Sequence, residues 1–100
     1  MAYCIANGSL YENSTSKELK IGNGVEARIQ ATGTGSCKIT GKLTSNGTAK
    51  TLNVVSLGDF SVTDTITDDN IYACDVTGLN SITVSNASGF TKVYASVYDK

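Results

Sequence analysis

Histidine, proline and tryptophan are all missing from the 100 residues. Without histidine, Ser-His and Cys-His nucleophile pairs and imidazole metal sites are closed to the chain. A hydrolase would then need paired carboxylates or a Ser-Lys pair, and neither has a local signature here. The sequence therefore reads as non-enzymatic, with no catalytic residue, no metal and no cofactor. Without tryptophan, any sugar-stacking platform would rest on tyrosine. Without proline, a common guard of open sheet edges is absent, so neighbouring subunits of an oligomer, or the N-terminal segment, are expected to cover at least one edge.

Charge of either sign is also scarce. Eight basic and nine acidic residues leave a formal net charge of −1, which creates no field that would gather nucleic acid or anionic lipid. No run approaches the 18 or so apolar residues of a membrane helix. Residues 1–15 (MAYCIANGSLYENST) lack the basic start and apolar stretch of a signal peptide. Neither nucleic acid nor membrane is expected as a partner, and synthesis in the cytoplasm is expected. Cysteine is limited to Cys4, Cys37 and Cys74, odd in number and too widely spaced for a zinc knuckle or a disulfide framework. They read as buried thiols, with Cys37 in phase with Ile39 and Leu43, and Cys74 in phase with Tyr72 and Val76.

What the chain does have is alternation with period two. Val25, Ala27, Ile29 and Ala31 alternate with Glu26, Arg28 and Gln30, the signature of a strand with one buried and one wet face. Cys37, Ile39, Gly41 and Leu43 alternate with Lys38, Thr40, Lys42 and Thr44. Further strands are expected from Phe60 and Val62 through Thr67, at Ile71–Val76, at Ile82–Val84 and at Val93–Val97. Asn23-Gly24, Thr32–Ser36 (TGTGS), Asn46-Gly47, Gly58-Asp59, Asp68–Asn70, Gly78–Ser81 and Ser88-Gly89 separate them as turns. The spacing predicts an all-β, antiparallel sandwich, jelly-roll or immunoglobulin-like, of seven to eight short strands. Residues 1–15 form an N-terminal arm or a first hairpin, and residues 16–100 the sandwich domain. Residues 35–43 (GSCKITGKL) and 89–97 (GFTKVYASV) share one pattern of Gly, Lys, β-branched and small residues. That fits two hairpins placed in, or across, the two sheets.

The remaining candidate sites are few. Asp64, Asp68, Asp69 and Asp75 are the densest acidic group and could offer oxygen ligands to calcium. A solvated loop, with Asp and Asn bracing the turn, is the stronger reading. The TGTGS loop lacks the Lys-Ser/Thr and helix of a phosphate cradle. Asn7, Asn13, Asn46 and Asn86 match a glycosylation acceptor but follow no secretion signal. Five tyrosines, at 3, 11, 72, 94 and 98, offer contact area for a protein or a sugar. Tyr3, Ile5, Leu10 and Tyr11 flank the turn-like Asn7-Gly8 and could form an apolar arm that docks on a neighbour.

From residue 25 onward the chain resembles small β-sandwich structural proteins of tailed bacteriophages and prophages. The segments that carry this are Val25–Gly35 (VEARIQATGTG), Lys38–Leu43 (KITGKL) before Asn46-Gly47-Thr48, Asn70–Leu79 (NIYACDVTGL), Ile82–Val84 and Gly89–Val97. Asn46-Gly47 stands where members often have Asp-Gly followed by an aromatic residue. The resemblance implies a virion protein, decorating the capsid or associated with the head, with the major capsid protein or another virion protein as its partner. A tail- or fibre-associated module, or a sandwich that contacts glycans, is the alternative.

Overall fold

The computed structural model describes residues 3–67 and 70–99, and every regular element among them is a β-strand. In chain order these are β1 (Cys4–Glu12), β2 (Thr15–Ser16), β3 (Leu19–Lys20), β4 (Glu26–Lys42), β5 (Lys50–Thr51), β6 (Val54–Ser56), β7 (Val62–Thr63), β8 (Ile66–Thr67), β9 (Ile71–Asp75) and β10 (Ser81–Tyr98). All pairings are antiparallel. The ladder runs β2-β1-β10-β4-β9-β6-β7, with β3 on β10 and with β5 and β8 on β4.

Two long strands, β4 of 17 residues and β10 of 18, hold this ladder together. Glu26–Thr32 pairs with Lys92–Tyr98, and Ser36–Lys42 pairs with Ser81–Ser88. From Ser85 to Lys92 the two strands bend and the register shifts three times. β1 and β9 flank the first half of the pair, whereas β3, β5 and β8 flank the second. Side chains from both halves, including Ile29 and Val93 from one and Ile39 and Ile82 from the other, meet in one core cluster. The sheet is thus folded over on itself, an arrangement compatible with a sandwich whose two layers share β4 and β10.

Glycine makes the bend possible. Gly33 and Gly89 have φ of 103° and 86°, and Asn86 has φ of 53°, conformations that residues with a Cβ avoid or adopt at a cost. At Gly35 an added Cβ would run into the Ser88 carbonyl oxygen, and at Gly89 into the Thr34 carbonyl oxygen. The two backbones cross with no room for a side chain. The sequence suggested turns at Thr32–Ser36 and at Ser88-Gly89, and both are corners inside continuous strands. The residues are those of a turn, but the chain crosses to the other layer instead of reversing. Hence two long strands replace four short ones. The paired motif at 35–43 and 89–97 marks the same event twice, since each copy starts at the corner glycine.

Other expectations shift for local reasons. Leu43 lies beyond β4 and is 71% exposed, because the chain leaves the sheet into a turn closed by the Gly47 amide on the Thr44 carbonyl. Phe60 belongs to the turn between β6 and β7 and not to a strand. The positive φ expected near Asn23-Gly24 falls on Gly22. Asn13 and Ser14, with φ of 53° and 63°, join β1 to β2 as a two-residue loop with the two positive φ angles that a type I′ turn requires. Buried Tyr72 has its hydroxyl satisfied, donating to the Thr67 carbonyl at 3.0 Å and accepting from the Thr67 amide at 3.3 Å.

Cys37 and Cys74 face the core as their phase implied, and burial pushes each thiol up to about 11. Cys4 departs from the expectation of burial: it lies exposed on β1. Titration of native protein with a disulfide reagent near pH 8 is expected to show one fast thiol, removed by Cys4→Ser, and two that react only on unfolding. The corner makes a second prediction. Gly35→Ala and Gly89→Ala should each cost about 3 kcal/mol or more in urea unfolding. Gly22→Ala meets an open site and should cost only the strain of its positive φ, about 1–2 kcal/mol.

Candidate interaction surface

The four residues proposed as an apolar arm do not stay together. Residues 4–12 form a continuous strand through Asn7-Gly8, with no turn there, paired with β10 from Cys4↔Tyr98 to Glu12↔Lys92. Its start is tied down where the Tyr3 amide donates to Asp99 Oδ1 at 2.8 Å and the Asp99 amide donates to the Tyr3 carbonyl at 2.9 Å. Leu10 follows Ala6 and Gly8 inward by alternation, and the second of two register shifts, around Leu10, turns Tyr11 inward beside it. Each bulge offsets the alternation by one residue, so a face read by counting in twos changes partway along the strand. Leu10 is wholly enclosed in the core and is corrected from contact residue to core residue. Tyr11 is half-buried against that core. Tyr3 and Ile5 remain outside, 62% and 43% exposed.

The outer face of the ladder offers a second surface. Register aligns Val62, Val55, Ala73, Arg28, Ser96 and Asn7 across β7, β6, β9, β4, β10 and β1. Ile71, Gln30, Tyr94 and Ser9 form the adjacent row. The β6–β7–β9 end is therefore apolar, and the β4–β10–β1 end is polar and aromatic. Tyr94 is fixed there, with its hydroxyl donating to Asn7 Oδ1 at 3.0 Å and the Lys92 ammonium 5.2 Å from its ring centre. Beside it lies a shallow depression of about 200 Å³ that includes Arg28, Gln30, Ile71 and Tyr98. Arg28 is paired with Glu26 on the same strand, so this face carries no strong field. Contact area and neutral hydrogen bonding are what it can supply.

The acidic group is dispersed. Asp64 is paired with Lys38 at 3.1 Å, and its carboxyl is held below the ordinary range by the Thr65 hydroxyl and then by that lysine. Asp75 accepts from the Thr77 amide at 2.9 Å, which lowers its carboxyl likewise. Asp68 and Asp69 lie outside the described residues. Among the described residues no three His, Cys, Asp or Glu side chains converge as a metal site would need. Elsewhere Glu18 bridges Lys20 and Lys42 at 3.3 and 3.7 Å and ties β3 to β4 at the surface.

Sequence reasoning missed Phe60 and Val62, which are 73% and 66% exposed. Phase placed both on a strand, which holds for Val62 in β7, but the Gly58-Asp59 pair immediately ahead leaves Phe60 still within the turn.

Two solved structures share this architecture. The SPBc2 prophage-derived protein YomS superposes with a TM-score of 0.72 at 19% identity, over 99% of this chain and 92% of that one. The PBSX exported protein XepA superposes with a TM-score of 0.79 at 17% identity, over 99% of this chain. The chain spans 38% of the length of XepA. No family model matches the sequence, and no curated protein matches it closely. At these identities the likeness establishes a common fold, carried by two prophage proteins.

Burial separates the four β1 residues into testable pairs. Leu10→Ala should lose about 2–5 kcal/mol in urea unfolding. Tyr3→Ala and Ile5→Ala should change stability by about 0.5 kcal/mol or less, because Tyr3 is held through its backbone.

Proposed function

We propose that this chain is a phage-associated, non-enzymatic structural protein that works by binding a repeated protein surface, as a capsid-decorating or head-associated component of the virion. The observation that carries the reading is the shared fold, over 99% of the chain, with two prophage proteins that are otherwise divergent in sequence. The absence of histidine and the shallow, weakly charged outer face favour contact over chemistry. On a repeating lattice a modest interface per copy is enough, since linked copies engage together.

The second reading is a module that acts outside the cell, on a tail fibre or on envelope glycans. The observation that favours it is that XepA is an exported protein. Tyr94, with Asn7, Arg28 and Gln30 around it, would then be the contact surface.

Fractionating an induced culture of the host separates the two. Particle binding predicts that the protein sediments with purified phage particles and is released by Tyr or Phe substitutions on its surface without loss of folding. Recovery in the cleared medium, with none on the particles, would overturn it in favour of the exported reading.

A further inference from the structure

Phe60 is held in a conformation that its own fold does not reward. It closes the β6–β7 hairpin, where its amide donates to the Ser56 carbonyl at 2.7 Å and the Ser56 amide donates to the Ser61 carbonyl at 2.9 Å. Asp59 Oδ1 braces the same turn by accepting from the Ser61 amide at 3.1 Å and from its hydroxyl at 2.8 Å. In this turn Phe60 takes a φ of 60°. Among the described residues the other positive-φ positions with side chains are Asn13, Ser14 and Asn86, all small and polar, whereas an aromatic side chain in that region is an outlier. Glycine or asparagine at position 60 would relax the hairpin. Nor does packing compensate, because the ring is 73% exposed and Val62, two residues on, is 66% exposed.

Strain retained at an exposed position points to a use outside the monomer. Aromatic side chains at low rotamer cost are the usual anchors of protein interfaces. The charge beside it narrows the partner. Asp59 is the one charged residue between Leu57 and Thr63, its carboxyl is held below the ordinary range first by the Ser61 hydroxyl, and no lysine or arginine pairs with it among the described residues. A second copy of the chain is a poor occupant. Its apolar groove of about 390 Å³ around Val25, Val55 and Ala73 is rimmed by Glu26 and Asp75 and would set acid against acid.

We propose that the Phe60 hairpin is a docking knob for a protein surface whose apolar pocket is rimmed by lysine or arginine, with Phe60 and Val62 inserted and Asp59 facing the basic rim. This rests on the particle-binding reading and deepens it by naming the surface that meets the particle.

The test joins stability to binding. Phe60→Gly should melt higher than the wild type, by roughly 4 °C, as the strain is released. A random peptide library panned against the folded wild-type chain should yield peptides that combine apolar residues with Lys or Arg. Their affinity should fall at least tenfold on Phe60→Gly, fall further on Asp59→Lys, and weaken with salt. Enrichment of no peptide, of acidic peptides, or of peptides that bind Phe60→Gly equally well would overturn the proposal. So would a lower melting point for Phe60→Gly, or wild-type self-association that this substitution abolishes. Because the peptides replace phage particles as probe, a failed particle assay and a failed knob are told apart.

Discussion

The contact between two backbones at the corner of β4 and β10 governs the rest of the molecule. Gly35 against Ser88 and Gly89 against Thr34 leave no space for a Cβ on either strand, so both strands turn the corner together and stay paired on each side of it. Hydrogen bonding is thereby kept nearly continuous along 17 and 18 residues, and one ladder supplies both walls of the core. Separate hairpins would have left backbone amides and carbonyls unpaired at the crossing, at a cost that buried polar groups rarely bear.

That economy also explains how the chain does without proline. The outer strands are protected by other means: β2 and β7 are two residues long, and β1 carries two bulges that interrupt its outward-facing groups. β1 itself covers the long flank of β10. Missing proline therefore does not by itself require a partner at an edge. The exposed hairpin between β6 and β7 and the outer sheet face are among the places where a partner would find apolar surface.

Much of the fold was legible because a half-buried sheet writes its period into the residues. Ala27, Ile29 and Ala31 are buried while Arg28 and Gln30 are exposed, as their alternation implied, and Cys37 and Cys74 follow their neighbours inward. The contact surface was less legible, and for definite reasons. Leu10 follows Ala6 and Gly8 inward by plain alternation, but the register shift at Leu10 turns Tyr11 inward as well, and nothing in Ser9-Leu10-Tyr11 announces it. At Thr32–Ser36 the glycines signal tight backbone, but whether the chain reverses or crosses depends on Ser88 and Gly89, more than fifty positions away. At Phe60 an aromatic residue among β-formers looks like a strand, and only the left-handed backbone shows that it is not.

Hydrogen bonds between Tyr3 and Asp99 place the two ends of the described chain side by side, and β1 runs antiparallel to β10 from that point. Tension applied between those ends would act across the ladder and open its rungs one after another, like a zip, instead of shearing them all at once. Such a molecule yields readily to being stretched by its termini. Load applied across its flanks would instead act along the strands and meet many rungs at once.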